Sequence, residues 1–199
     1  MAKLYFRYGA MNCGKTTLLL QTAYNYEERG MHIQLFKPMI DTKGGDEVVS
    51  RLGASRKVNV LLSQDDHVYD YLDDENMPDA IIVDEAQFLT AEQVEEFYII
   101  TKQFDIPVLT YGLRNDFQMN TFEGSARLLS LADDIEELKT ICRCGKKATQ
   151  NMRLLDGKPL FEGSSVLIDG TSNVKYESVC GKCYLEKSGK IRKRSLSNK

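Results

Sequence analysis

The stretch GAMNCGKT, residues 9–16, has the spacing G-x-x-x-x-G-K-S/T of a phosphate-binding loop. The preceding residues 3–8 predict a strand, and residues 15–29 place apolar side chains at helical spacing before Gly30, which predicts a helix. A glycine lets the chain turn tightly enough for consecutive backbone N–H groups to surround phosphate oxygens, and the helix N-terminus adds the positive end of its dipole. The sequence therefore predicts a Walker A loop at the junction of a strand and a helix.

The predicted phosphate site takes in the whole of this loop. Lys15 is expected to reach the β- and γ-phosphates of a nucleoside triphosphate, and the Thr16 hydroxyl is expected to hold Mg²⁺. Cys13 is interpreted as a small filler, with a redox role as the alternative. The complete predicted set is Gly9, Ala10, Met11, Asn12, Cys13, Gly14, Lys15 and Thr16.

Two adjacent carboxylates follow a second strand. The run DAIIV, residues 79–83, predicts a strand that is buried on both faces. Because ligands of open α/β sheets bind at the carboxyl ends of the strands, Asp84 is expected to hold Mg²⁺, and Glu85 to act as a general base on a hydroxyl or a water. Ala86 and Gln87 complete this predicted nucleotide-binding segment. The alternative is a helix N-terminus that favours acidic residues, and the pair alone does not separate a kinase from an ATPase.

The order of the segments predicts the fold. Strand and helix patterns alternate through the first part of the chain, which predicts an α/β fold: a P-loop (RecA-like) parallel sheet flanked by helices. Residues 41–53, polar and with two adjacent glycines, are interpreted as a surface loop, and residues 113–123 as a functional loop. The remaining predicted strands are residues 32–37, 106–111 and 137–141, and the remaining predicted helices are residues 91–103 and 125–132.

Four cysteines in two close pairs lie near the end of the chain. Thiolates at this spacing predict a structural Zn²⁺ site, tetrahedral and closed to substrate. The segment between the pairs contains short β-type runs, so a small C-terminal zinc-binding β-ribbon, or lasso, is expected. The predicted division is 1–140 for a nucleotide-binding domain, 141–190 for the zinc ribbon and substrate-binding lasso, and 191–199 for a basic flexible tail. The predicted zinc ligands are Cys142, Cys144, Cys180 and Cys183.

The composition limits the partners that are expected. With 26 basic and 29 acidic residues the formal net charge is −3, so no overall positive field favours nucleic acid or a membrane surface. No apolar run approaches the roughly 18 residues of a membrane span, and the N-terminus lacks a secretory signal. A cytoplasmic protein with reduced cysteines is therefore expected.

Five segments together resemble the type II thymidine kinases, and the resemblance covers nearly the whole chain. The phosphate loop alone is common to many families, but its combination with a late four-cysteine ribbon is specific. The segments are YGAMNCGKT at 8–16, KPMID at 37–41, DEAQF at 84–88, GLRNDFQ at 112–118 and KYESVC at 175–180.

The resemblance implies an ATP- and Mg²⁺-dependent transfer of the γ-phosphoryl group to the 5′-hydroxyl of thymidine. The product would be dTMP, made by salvage for DNA synthesis, and Glu85 would be the general base for the hydroxyl. Members of this family are typically homotetramers that dTTP inhibits, so both properties are expectations here.

The resemblance also implies a nucleoside pocket. An apolar slot around the thymine ring would form from Met11, Phe88, Leu113 and Phe117. Tyr176 would close over the nucleoside, and backbone groups near Ile168 and Gly170 would bind the edge of the base. A zinc at the base of the lasso would order it before the ligand binds, which lowers the entropy cost of closing a long loop.

Two other functions stay open at the level of sequence. The first is a zinc-ribbon ATPase that binds nucleic acid through its basic tail, against which the acidic overall balance argues. The second is a kinase that acts on another nucleoside, such as deoxyuridine or deoxycytidine.

Overall fold

The computed structural model describes residues 1–41, 45–163 and 173–191. The predicted base-binding residues Ile168 and Gly170 lie outside the described residues, and so does the predicted basic tail beyond Ile191.

A six-stranded parallel sheet forms the centre of the molecule, with the order β5-β2-β6-β7-β1-β8. Its strands are β1 (Leu4–Tyr8), β2 (Ile33–Pro38), β5 (Val60–Leu62), β6 (Ala80–Val83), β7 (Val108–Gly112) and β8 (Asp134–Glu137). The larger helices are α1 (Lys15–Glu27), α2 (Ala91–Gln103) and α3 (Glu123–Leu131).

Apolar side chains cover both faces of this sheet. All four residues of β6 are buried, since β6 lies in the middle of the sheet. One core cluster packs Phe97 of α2 and Leu128 of α3 against the sheet, and the other packs Leu19 and Ala23 of α1 on the opposite face. The predicted α/β fold with helices on both faces is confirmed.

Three details differ from the sequence prediction. The surface loop predicted at 41–53 contains β3 (Glu47–Val49), which pairs with β4 (Ser55–Lys57) in an antiparallel hairpin. The short strand β5 had no counterpart in the prediction. The final strand of the sheet is Asp134–Glu137 rather than 137–141, because this edge strand is mostly exposed and polar and lacks an apolar pattern.

The β3–β4 hairpin is fixed at its base and also along one side. Val48 is buried in the core cluster that contains α1, and the buried Lys37 donates to the carbonyls of Gly45 and Glu47 at 3.2 and 3.3 Å. Arg56 forms two hydrogen bonds to the carboxylate of Glu27, at 2.5 and 2.7 Å. The hairpin is therefore tied to β2 and to the end of α1.

The C-terminal part forms smaller antiparallel sheets. Strands β9 (Thr140–Ile141) and β10 (Lys147–Ala148) form one hairpin, and β11 (Gln150–Leu155) lies between β12 (Lys158–Leu160) and β13 (Val174–Val179). Helix α4 (Gly181–Lys187) follows, and its Tyr184 hydroxyl donates to the carbonyl of Phe117 at 2.6 Å. This bond ties the C-terminal part to the loop after β7.

Among the described residues there is no helix with the length and apolar character needed to cross a membrane.

A histidine joins the 3₁₀ turn Val68–Tyr71 to helix α2. His67 Nδ1 lies 2.7 Å from Glu96 Oε1, while the backbone N–H of Val68 donates to the other oxygen of Glu96 at 2.6 Å. The hydrogen bond to Glu96 raises the pKa of His67, and the negative charges of Glu92 and Asp70 act in the same direction.

We expect the His67→Gln variant to be less stable than the parent protein at acid pH and equally stable at alkaline pH. Because the folded-state pKa is raised, the contribution of His67 is complete below its unfolded value of about 6.5 and disappears as the pH rises through the folded value. Urea unfolding of both proteins at pH 5.5 and pH 9 measures the difference. His32→Gln is the matched control, since His32 bonds to Asp79 through its backbone N–H and its backbone carbonyl, which the variant keeps. A difference in the free energy of unfolding between parent and variant that is the same at both pH values would contradict the pairing of His67 with Glu96.

Candidate active site

Two glycines give the phosphate loop its shape. Gly14 has φ 86° directly before α1, a conformation that a side chain disfavours. At Gly9 the reason is space, because a Cβ there would lie 2.5 Å from Cys13 Sγ and 2.6 Å from the Leu138 carbonyl oxygen. The residues between them therefore form a tight loop that ends at the N-terminus of a helix, as an anion site requires.

Lys15 folds back over this loop. Its Nζ lies 3.4 Å from the Ala10 carbonyl oxygen and 3.8 Å from Cys13 Sγ. The positive charge of Lys15 acts to lower the pKa of Asp84, although burial of that carboxyl has a larger effect in the opposite direction. The cation thus lies between the phosphate loop and the carboxylates after β6.

Asp84 is a buried acid at the carboxyl end of β6, with only 5% of its surface exposed. Burial raises the pKa of Asp84 to about 7, and repulsion from Glu85 adds to the rise. A cation bound here would favour the charged form of the group. Asp84 therefore offers a hard oxygen donor of the kind that a divalent cation prefers.

Glu85 has an unusual backbone conformation, and a buried glutamine holds its carboxylate. Its φ is 48°, in the left-handed region, where it precedes the 3₁₀ turn Ala86–Phe88. Gln87 Nε2 donates to Glu85 Oε2 at 2.6 Å, and Gln87 Oε1 accepts from the backbone N–H of Leu113 at 2.9 Å. Gln87, which is 2% exposed, uses both ends of its amide within the protein and links the loop after β6 to the loop after β7.

A cavity of about 300 Å³ lies beside the phosphate loop. It brings Lys15 and Thr16 together with Glu85, and two predicted nucleoside residues, Met11 and Leu113, also line it. The remaining side of the cavity comes from the β3–β4 hairpin. Its full lining among the described residues is Met11, Asn12, Gly14, Lys15, Thr16, Thr17, Val49, Arg51, Leu52, Glu85 and Leu113.

Sequence reasoning missed the hairpin side of this cavity. Val49, Arg51 and Leu52 lie in and after β3, within the stretch that was interpreted as a surface loop. The available signal was Arg51 itself, a cation close to apolar residues in a polar, glycine-containing segment. It adds a second positive charge to the cavity beside Lys15.

The predicted pocket aromatics lie in two separate groups. Phe88 packs edge to face against Phe122, with ring centroids 5.6 Å apart. Phe117 is only 2% exposed, and the guanidinium of the buried Arg153 lies 3.6 Å from its ring centroid. Arg153 Nε also donates to the Tyr176 hydroxyl at 2.9 Å, so Tyr176 and Phe117 share one buried cation.

These aromatics do not line the cavity beside the phosphate loop in the part of the chain that the structure describes. Tyr176 belongs to strand β13 rather than to a loop. Phe122, directly before α3, was not among the predicted residues, and its signal was its position in the polar functional loop.

The four predicted zinc ligands form one cluster. The Sγ atoms of Cys142, Cys144, Cys180 and Cys183 lie within 4.8 Å of one another, and those of Cys144 and Cys180 are 3.6 Å apart. Sulfur atoms at the corners of a tetrahedron with Zn–S bonds of about 2.3 Å are separated by about 3.8 Å. The four thiols therefore fit a tetrahedral zinc ion.

The surroundings of the clustered thiols favour a thiolate at Cys142. Burial raises the pKa of the Cys142 thiol, but hydrogen bonds from the backbone of Cys144 and Cys180 outweigh this effect and lower it to about 7. Hydrogen bonding to Cys180 and Cys144 raises the pKa of Cys183 to about 12. The lowered pKa of Cys142 favours its thiolate, which is the form of cysteine that binds a metal.

Comparison with known proteins gives one consistent family. The family model described as "Thymidine kinase" matches residues 2–184. The thymidine kinase of Coxiella burnetii is 45% identical over 188 residues, which cover 92% of this chain and 94% of the relative. The corresponding enzyme of Streptococcus thermophilus is 48% identical over 187 residues, with coverage of 92% and 93%. That of Legionella pneumophila is 48% identical over 186 residues, with coverage of 90% and 88%.

The cysteine cluster predicts that the purified protein carries one zinc ion per chain and loses it in the Cys142→Ser variant. Structural zinc contributes directly to folding free energy, so we expect the variant to unfold at a lower temperature than the parent protein. Elemental analysis and thermal unfolding measure the two effects. Cys13→Ser is the matched control, because this fifth cysteine lies in the phosphate loop. Full zinc retention by Cys142→Ser would show that the cluster does not hold the metal.

Proposed function

Because the chain belongs to the thymidine kinase family, we propose that it moves the γ-phosphoryl group of ATP to the 5′-hydroxyl of thymidine, giving dTMP. The cavity beside the phosphate loop is the observation that carries the proposal. It joins the phosphate-binding residues Lys15 and Thr16 to the carboxylate of Glu85 and to the apolar side chains of Met11 and Leu113. The residues proposed to bind the phosphate donor, the proposed base and the apolar side chains thus line the same cavity.

On the donor side, the proposal assigns the triphosphate to the loop and to Lys15. Backbone N–H groups and the helix N-terminus bind phosphate oxygens, and the lysine balances charge on the transferred group. The oxygens of Thr16 and Asp84 would hold Mg²⁺, which when bound would neutralise phosphate charge and orient the γ-phosphoryl group. The burial of Asp84 supports this assignment, because burial raises the pKa of the acid to about 7 and a bound cation would favour its ionised form.

On the acceptor side, Glu85 accepts the proton of the 5′-hydroxyl as the oxygen attacks phosphorus. The hydrogen bond from Gln87 fixes one carboxylate oxygen and leaves the other for the substrate. Gln87 therefore serves as a positioning residue, in place of the predicted contact with ATP.

The proposal places the thymine against an apolar wall. Met11 and Leu113 line the cavity, and Phe88, which packs edge to face against Phe122, is the last residue of the 3₁₀ turn that Glu85 precedes. Phe117 is kept as a more distant support, since Arg153 covers its ring.

Further parts of the proposal come from the family alone. They are control by dTTP, a homotetrameric assembly, the absence of a nucleic-acid partner and closure by Tyr176 together with Ile168 and Gly170, which lie outside the described residues. The division into units at 1–140, 141–190 and 191–199 also belongs to the proposal. A cytoplasmic, reducing setting also belongs to the proposal, since four of the five cysteines form the cluster that fits zinc.

A panel of nucleosides with labelled ATP tests the proposal directly. We expect phosphorylation of thymidine that requires Mg²⁺, with weaker or no transfer to cytidine, deoxycytidine and the purine nucleosides. Transfer to deoxycytidine alone would assign a different nucleoside. Hydrolysis of ATP that depends on added single-stranded DNA, without any nucleoside product, would overturn the proposal.

The Glu85→Gln variant is expected to lose at least 100-fold in turnover while it still binds ATP, because general-base catalysis contributes about 10²–10⁴ in rate. Steady-state kinetics and calorimetric titration with ATP measure the two quantities. Glu92→Gln, on the exposed side of α2, is the matched control. Near-normal turnover of Glu85→Gln would assign the base elsewhere.

The Gln87→Met variant tests the positioning of Glu85 separately. Methionine fills a similar volume but cannot hold the carboxylate or accept from Leu113, and misplacement by about 1 Å can cost about 100-fold in rate. We expect turnover to fall about 10- to 100-fold while ATP binding changes little. Gln103→Met, at an exposed position at the end of α2, is the control. If the variant instead loses ATP affinity with normal turnover, Gln87 binds the nucleotide as the sequence predicted.

A further inference from the structure

Two residues in the C-terminal part of the chain form hydrogen bonds with one residue of the phosphate loop. The backbone N–H of Met11 donates to Asn151 Oδ1 at 2.8 Å, and the carbonyl of Met11 accepts from the hydroxyl of Ser178. Asn151 lies in β11 and Ser178 in β13, directly opposite each other in the antiparallel register. A pair of facing residues therefore holds both backbone groups of Met11.

Both side chains are buried, and Asn151 has further bonds. Asn151 is 2% exposed, and its Nδ2 donates to the carbonyl of Asn115 at 3.0 Å. Asn115 in turn donates to Gln150 Oε1 at 2.7 Å. Because an unpaired buried amide is costly, these bonds fix the distance between the phosphate loop and the loop after β7.

The bonds to Met11 also decide which backbone groups can face a phosphate. Since the N–H of Met11 is used by Asn151, the anion must be bound by groups further along the loop, up to the start of α1. Asn12 follows with φ 65°, a left-handed conformation that needs support from its surroundings. The hydrogen bonds to the N–H and to the carbonyl of Met11 supply that support and set the direction of the turn.

The same strand leads to the cysteine cluster. Ser178 lies two residues before Cys180, and the carbonyl of Val179 between them accepts from the backbone N–H of Thr149 at 3.0 Å. The cysteine cluster is therefore only two residues along the chain from Ser178, whose hydroxyl bonds to the phosphate loop.

We propose that Asn151 and Ser178 are positioning residues for the ATP site, which act through the backbone of Met11. The phosphate loop takes its binding shape only when the β11–β13 sheet is docked against it, so the C-terminal module is part of the donor half of the enzyme. This inference rests on the proposed function for its ATP ligand, while its test uses ATP binding without thymidine.

The Ser178→Ala variant removes one hydroxyl and little else. We expect the dissociation constant for ATP, measured by calorimetric titration in the presence of Mg²⁺ and absence of nucleoside, to rise about five- to tenfold, the effect of one hydrogen bond. The KM for ATP should rise by a similar factor with a smaller change in kcat. Ser178→Thr, which keeps the hydroxyl, should restore ATP affinity toward the parent value.

Two controls separate positioning from general destabilisation. Ser188→Ala removes a hydroxyl from the end of α4, where it donates to the Leu185 carbonyl at 3.2 Å, and it should leave ATP affinity unchanged. Asn151→Leu removes both the acceptor for Met11 and the donor to Asn115, so it should weaken ATP binding at least as much as Ser178→Ala. Thermal unfolding of each variant shows whether it is folded, and Ser178→Ala alone decides the matter if Asn151→Leu does not fold.

Unchanged ATP affinity in Ser178→Ala, or an equal loss in Ser188→Ala, would overturn the inference. A parent protein that binds ATP but does not phosphorylate thymidine would overturn the proposed function and leave this test intact.

Discussion

The parallel order of β6, β7 and β1 is the constraint on which the site depends. Neighbouring parallel strands end at the same edge of a sheet, so the loops that follow them meet there. The loop after β1 has the spacing and shape of a phosphate-binding loop, the loop after β6 supplies Asp84 and Glu85, and the loop after β7 supplies Leu113. The strand that leads to Leu113 therefore lies between the strands that lead to the phosphate loop and to Glu85.

Strand order brings the loops together, but buried amides set the distances between them. Gln87 joins Glu85 to the loop after β7, and Asn151 joins that same loop to the phosphate loop. An amide suits this task because it donates from one end and accepts at the other while carrying no charge into a buried site. Loops, which tolerate variation in length, thereby gain the fixed geometry that phosphoryl transfer requires.

The sequence predicted the features that local chemistry determines. The phosphate loop, the buried strand before Asp84 and the four cysteines each have a spacing that only a few structures satisfy, and the structure contains all three. It did not predict β5, β8 or the β3–β4 hairpin, since short or exposed strands lack an apolar period. Nor could it predict that Arg153 lies buried on Phe117, because the residues that surround a buried cation come from distant parts of the chain.

The two sides of the phosphate loop differ in how firmly they are held. On one side, buried hydrogen bonds from Asn151 and Ser178 fix Met11, and the cysteine cluster lies close behind them. On the other side, the base of the β3–β4 hairpin is buried, but Leu52 near its tip is 82% exposed although it lines the cavity. A ligand that fills the cavity would cover this leucine and gain from its removal from water, at about 25 cal/mol per Å². The phosphate loop is therefore held by buried hydrogen bonds from the C-terminal side, whereas the hairpin tip that lines the cavity is exposed to solvent.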